Sequence, residues 1–476
     1  MARTLFNSSE KSNFILNMTE EQYSKLASYG LIGACLLVPL FTIIPECFST
    51  ATYTFSSGGL VIAGVYCMIM AMIALIKKYV NGGTVLPVCA FAAMLVWSVI
   101  SMLDSYDIAV GMYGYPQRGE GVMAILFYCA IFVSAASIKT ENSVDTLLKG
   151  IIAAGLLNSV WALIQVFTGK LTHYRFISLD IDANAASGLA QSPLFLAMLL
   201  TLSLTAALIF AVKSEGKKAR IISLVSAALF GFVMIMTYTV IAVCGMVLAA
   251  VLTIAVVFII KAPKSRLLTL LAPAAAAVLA VVIVNAGAVG GISSYKFYDA
   301  RELWWADSYM RAGSAGDFNS DIVNIDDNVD VYLYLDRKGL DLASRFPLTG
   351  TGPDQLVYPQ LYTWGTLNEN AEMPDVIVQN RGTFDRVYNE YIYTAATRGY
   401  PSLITLLAVI LPALFISFKA MKKRRNAETA AVFILTLCGA LMFLISCGSL
   451  AYSPIYWSAA GLACASLRKK TVGSKK

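Results

Sequence analysis

Charge is what this chain has least of. Only 14% of its 476 residues are Asp, Glu, Lys or Arg, 58% are hydrophobic, and the mean hydropathy is +0.68. No soluble core of that size hides so much apolar surface, so the chain is an integral membrane protein. Histidine is nearly absent. The single one, His173, has Asp180 and Asp182 nearby, a spacing that describes a solvated loop better than a metal site. No Gly-rich nucleotide loop and no Ser-His-Asp set can be assembled. The nine cysteines lie in or beside apolar runs and none falls between residues 301 and 398, which excludes a disulfide framework or Cys-based metal site there. Cys35, Cys67 and Cys244 read as small apolar packing residues. The first 28 residues lack the apolar core and small-residue cleavage site of a secretory signal, so insertion is expected to be driven by the first span.

What is abundant is membrane-length apolar sequence. Runs near 29–44, 60–76, 86–102, 122–137, 151–167, 188–212, 221–236, 240–260 and 268–286, then 402–418, 430–447 and 453–467, predict about twelve transmembrane helices. The spans contain almost no ionisable residue, which argues against an ion-coupled pump. Lys77, Lys78, Lys213 to Arg220, Lys261 to Arg266, Lys419 to Arg425 and the tail from Arg468 all fall on one side if both termini are cytoplasmic. The formal charge of +7 is therefore a topology signal and not a sign of nucleic-acid binding. The expected architecture is an all-α polytopic protein of the cytoplasmic membrane, with one large extracytoplasmic loop between spans 9 and 10. Its parts are a cytoplasmic segment 1–28, helices 1–9 over 29–292, an outer loop domain 293–387, a re-entry helix with helices 10–12 over 388–467, and a basic cytoplasmic tail 468–476.

The stretch from Arg301 to Arg398 is a polar island with fifteen acidic and eight basic side chains. Helical periodicity is expected over 295–305, 331–343 and 385–397, and 313–330 reads as irregular. In 348–353, Gly350 and Gly352 permit positive φ and Pro353 stops any helix, predicting a turn.

Several segments together resemble the O-antigen ligase and polymerase-like family. Arg118-Gly-Glu120-Gly121 is similar to its Arg-x-Glu-Gly entry into a span. Pro347-Leu-Thr-Gly350-Thr-Gly352-Pro353-Asp354 is similar to its Pro-Leu-x-Gly-x-Gly-Pro-Asp turn. Asp385-Arg386-Val-Tyr388-Asn389-Glu390-Tyr resembles Asp-Lys/Arg-x-His-Asn-Glu-Tyr. The ligase-like core would cover about 220–415. The family's histidine falls on Tyr388, and the Ser-Arg pair that relatives carry has no counterpart at Thr239, Val240 and Ile241.

The resemblance implies transfer of a glycan from a polyprenyl-diphosphate carrier to a hydroxyl of another glycan or envelope polymer, at the outer face of the membrane, with no metal and no soluble cofactor. Its partners would be that donor, that acceptor and the lipid bilayer. A catalytically silent relative, serving as a binding partner among glycan-assembly membrane proteins, is the alternative. Chemically, the diphosphate calls for fixed positive charge, which the arginine fork supplies. Arg118, Arg175, Arg345, Arg386 and Arg398 are the outer-face arginines, and Arg118 and Arg386 lie in matched motifs. The substrate-binding set is expected to be Arg118, Glu120, Arg345, Gly350, Gly352, Asp354 and Asn389; the catalytic set Arg386, Tyr388, Glu390 and Asp385. Tyrosine ionises near pH 10 and histidine near ~6.5, so a carboxylate, Glu390 or Asp385, is the expected proton acceptor. As bland readings, Glu390 would pair with Arg386 one helical turn away, Asp354 would cap its turn, and the two glycines would only shape it.

Overall fold

The computed structural model describes residues 17–48, 55–80, 82–115, 118–139, 142–168, 186–190, 192–237, 239–286, 325–357 and 386–467. His173, Arg175, Asp180, Asp182, Asp385, the periodic stretch 295–305, and the basic tail lie outside them. Among the described residues there is no strand, and the helices in chain order are α1 (Glu20–Phe48), α2 (Phe55–Ile76), α3 (Val85–Leu103), the short α4 (Ile108–Tyr113), α5 (Val122–Ala136), α6 (Asn142–Thr168), α7 (Pro193–Lys213), α8 (Lys217–Met236), α9 (Val240–Ile259), α10 (Leu271–Ala286), α11 (Ile325–Arg345), α12 (Glu390–Arg424), α13 (Ala427–Met442) and α14 (Ser453–Ala465). All-helical structure is what a lipid environment demands, because helices satisfy their backbone groups internally. Among the described residues, nine helices are long and apolar enough to cross a membrane, and α5 and α13 are shorter apolar helices. This is a multi-pass membrane protein.

The helix ends follow local chemistry. Thr239 caps α9 by accepting from the Ala242 amide, Asn426 caps α13 through Thr429, and Asn389 caps α12 by accepting from the amides of Tyr391 and Ile392. α1 begins at Glu20, well before its apolar run, with Thr19 and Gln22 bonded to one another at its start. α7 is the hub. It is buried along nearly its whole length and packs against α6, α8, α9 and α13. Cys35 and Cys67 are buried as expected, whereas Cys244 is exposed, because that side of α9 faces outward from the bundle.

α12 departs from the expected pattern. Residues 386–389 are not helical, and the helix starts only at Glu390, so Arg386 and Glu390 do not sit a turn apart on one helix. The expected re-entry helix and the following span are one continuous element kinked at Gly399, whose φ is +75°. A Cβ there would lie 2.0 Å from the Leu348 carbonyl oxygen, so only glycine fits. The kink accepts the turn at 347–352: the amides of Thr351 and Gly352 donate to the carbonyls of Ala396 and Thr397 at 3.0 and 2.9 Å, and Tyr400 donates to Pro347. Trp97 of α3 donates its indole N–H to the Leu348 carbonyl at 2.8 Å. The loop turn is thereby stapled between α3 and α12.

Candidate functional site

The stapled turn delivers Asp354 to the interior. Its backbone is left-handed, with φ at +60°, and its side chain is fully buried. Arg118 reaches it from the loop between α4 and α5: Nη2 lies 2.7 Å from Asp354 Oδ1, with the two side chains 1% and 0% exposed. The same Nη2 donates to the Tyr393 hydroxyl at 2.6 Å, Tyr393 donates to Asp354 Oδ1 at 3.1 Å, and the Tyr115 amide donates to Asp354 Oδ2 at 2.6 Å. Asp354 is thus more than a turn cap. It locks three distant segments together, and the Tyr393 hydroxyl and Tyr115 amide help offset the cost of burying its charge.

Beside this lock, Glu390 opens α12. Its Oε2 accepts from the Gly448 amide at 2.8 Å, its Oε1 accepts from Thr394, and Arg398 Nη2 lies 3.5 Å from Oε1. Glu390 therefore pairs with Arg398 and not in the helical register expected with Arg386. Arg398 is buried and also donates to the Thr394 hydroxyl at 2.8 Å. Arg386 is buried too. Its guanidinium lies over the Phe195 ring at 4.5 Å, and Nη1 approaches the Gly448 carbonyl at 3.4 Å and Cys447 Sγ at 3.6 Å. Asn389 caps α12 and donates Nδ2–H to the Leu444 carbonyl at 3.1 Å, so its role here is to fix the helix start.

Between these groups lies a cavity of about 540 Å³ of empty space, counting the solvent at its mouth. Glu120, Asp354, Glu390, Tyr393, Arg398, Tyr128, Gly448 and Ser453 line its polar part, and Met94, Ile125, Leu406, Phe443 and Trp457 its apolar part. Burial pushes the Glu120 carboxyl up to about 8; Arg386 and Arg118 pull it down, and Glu390 and Asp354 add to the rise. A lining that mixes charged and apolar side chains suits a ligand with both charged and apolar parts.

Other expected site residues take different positions. Arg345 pairs with Asp341 one turn earlier on α11 at 3.0 Å, both part-exposed, and does not line the cavity. Gly350 and Gly352 have φ of +63° and +97°, and the amides around them bond to Phe346 and to the α12 carbonyls, which leaves no amide cradle for a phosphate. Tyr388 is buried, 5% exposed, and does not line the cavity. Sequence reasoning left Arg398 in the background and missed Tyr393 and the segment 447–453. The Cys447-Gly-Ser-Leu-Ala-Tyr-Ser sequence, a Gly/Ser-rich break between two apolar runs, was the available signal.

Part of this helical membrane fold, including the turn sealed onto the kinked helix, is similar in sequence to a known family. Residues 224–407 match the family model described as O-Antigen ligase, in agreement with the resemblance that the motifs carry. No curated protein matches the chain. Asp354, Arg386, Glu390 and Arg398 lie within the matched stretch, while Glu120, from the preceding part of the chain, lines the same cavity as Asp354, Glu390 and Arg398, and Arg118 is held against Asp354.

Proposed function

We propose that the protein is a membrane glycosyltransferase of the O-antigen ligase type, moving a glycan from a polyprenyl-diphosphate carrier to a hydroxyl of an envelope glycan or polymer. The observation that carries this reading is a cavity lined by Arg398, with the buried guanidiniums of Arg118 and Arg386 close enough to act on the Glu120 carboxyl within it. Fixed guanidiniums suit a diphosphate leaving group, and apolar lining residues such as Leu406 and Phe443 suit the first isoprene units of its carrier. Basic side chains gather at the other end of the bundle, where Lys213 meets Asp145 and Glu428 and where the α12–α13 connection carries Lys422 to Arg425. Retention of positive charge in the cytoplasm then puts the cavity on the outer face, with twelve passes and both termini inside.

The test of function is mass spectrometry of lipid extracts from a strain lacking the protein. Accumulated long polyprenyl-linked glycan indicates a ligase and accumulated single repeat units a polymerase; unchanged lipid-linked glycans sink the transferase reading. For orientation, a single cysteine at Tyr106 in a background without native cysteines should react with a membrane-impermeant thiol reagent on intact cells, and one at Glu215 should not. The second reading, a catalytically silent binding partner in a glycan-assembly complex, is favoured by Tyr388, which stands in the place of the family histidine and does not line the cavity. Purified protein that binds the lipid-linked glycan without transferring it would support that reading.

A further inference from the structure

We infer that Glu120 is the group that takes the proton from the acceptor hydroxyl, an assignment that rests on the transferase reading above. Three carboxyls line the cavity and two are already engaged. Asp354 holds Arg118, the Tyr393 hydroxyl and the Tyr115 amide; Glu390 holds the Gly448 amide, Thr394 and Arg398. Glu120 lines the same space, yet among the described residues its carboxyl makes no hydrogen bond. A carboxylate whose lone pairs are filled by amides and guanidiniums is a poor proton acceptor, and one that faces open space is available. Glu120 is also held firmly. It sits between Gly119, with φ at +65°, and Gly121, where a Cβ would lie 2.4 Å from the Gly114 amide nitrogen. Across the cavity, Gly448 keeps the way clear: a Cβ there would lie 3.4 Å from Glu390 Oε2 and 3.8 Å from Glu120 Oε1.

Charge accounting supports the assignment. Three guanidiniums, Arg118, Arg386 and Arg398, meet three carboxyls, Glu120, Asp354 and Glu390, and the set is neutral when all are ionised. In the transfer, the acceptor oxygen forms a bond to the anomeric carbon, and the bond from that carbon to the diphosphate oxygen breaks. The electron pair leaves with the polyprenyl diphosphate, which gains one negative charge. The hydroxyl proton goes to Glu120. Protonating that carboxylate leaves the cavity one charge more positive at the moment the leaving group becomes one charge more negative, so the buried site stays balanced.

Burial and the four charged neighbours place the carboxyl near 8, within reach of the working pH of an acid or base. Arg398 and Tyr393 on α12, Tyr128 on α5 and Cys447 after α13 are further ionisable groups around it.

Right-side-out membrane vesicles from cells producing the full chain carry their own lipid-linked glycan and acceptor, and the free polyprenyl diphosphate they release can be quantified by mass spectrometry across pH. Wild-type release should rise with pH and level off above about 8. Glu120→Gln should lower it by about a hundred-fold or more and flatten the profile, and Glu120→Asp should keep a rising profile at reduced height. A Glu120→Gln protein with the wild-type profile removes Glu120 from the role and leaves the transferase reading standing. Equal loss in Glu120→Gln and Glu120→Asp, each present in wild-type amount, also overturns the assignment, because it marks a structural carboxyl. Wild-type vesicles that release no polyprenyl diphosphate overturn both this inference and the reading it rests on.

Discussion

The protein holds ionic clusters at both ends of α13, and they are built differently. At the basic end Lys213 sits between Asp145 and Glu428, at 2.6 Å from each, and the three side chains are 20%, 36% and 24% exposed. At the cavity end Arg118 meets Asp354 with almost no exposure, and the Tyr393 hydroxyl and Tyr115 amide bond to the same cluster. Water screens the first and supports its charges; the second stands only because protein groups replace that water. The lysine cluster ties three helix ends together, and any cation of suitable reach would serve. The arginine cluster needs one fork in one place, because the same guanidinium nitrogen meets both Asp354 and the Tyr393 hydroxyl.

The contrast predicts a steep order of mutational effects. Arg118→Ala leaves Asp354 charged and buried without its partner, so it should destabilise the fold by about 3 to 5 kcal/mol, read as denaturant unfolding in detergent. The double variant Arg118→Ala/Asp354→Ala should lose clearly less than the sum of the two single changes, as expected for a directly coupled pair. Additive losses would show the two side chains to be independent.

A smaller effect concerns pH. Glu120 holds its proton in the folded protein up to about 8, whereas an unfolded glutamate loses it near 4.5. Between those values the folded state binds more protons than the unfolded one, so stability must fall as pH rises through that window. Melting temperature followed in detergent should show this decline in the wild type and a flatter curve in Glu120→Gln. An unaltered slope in the variant would mean that Glu120 ionises as it does in water.

The smallest effect belongs to the basic end. Lys213→Met should cost about 0.2 to 1 kcal/mol for each part-exposed pair it removes, and raised salt should weaken the wild-type contribution while leaving the variant unmoved. A loss as large as that of Arg118→Ala would break the comparison between the two ends.

Much of the architecture was legible locally. Hydropathy located the apolar helices, Gly350, Gly352 and Pro353 announced a turn that does form, and periodicity over 331–343 anticipated most of α11, although the helix begins at Ile325, inside the stretch 313–330 that reads as irregular. The start of α12 was misplaced because Asn389 caps the helix only after a non-helical stretch, and periodicity alone does not register a cap. The candidate site was legible as a list of residues. Arg118, Glu120, Asp354, Arg386 and Glu390 were all singled out, but their division of labour was not, because it depends on which carboxylate is already bonded.

The sequence by itself determined that this chain lives in a membrane as a set of helices, because long runs without charge have no other stable home. It also determined that a turn of fixed shape precedes Asp354, since its glycines and proline restrict the backbone locally. Only the tertiary structure decided that this turn docks on the Gly399 kink, that Arg118 from the first half of the chain closes on Asp354 from the second, and that Glu120 is the carboxyl left facing the cavity. Those facts rest on contacts between segments far apart in the chain, from Thr351 with Ala396 to Tyr115 with Asp354, and local preference carries no information at that range.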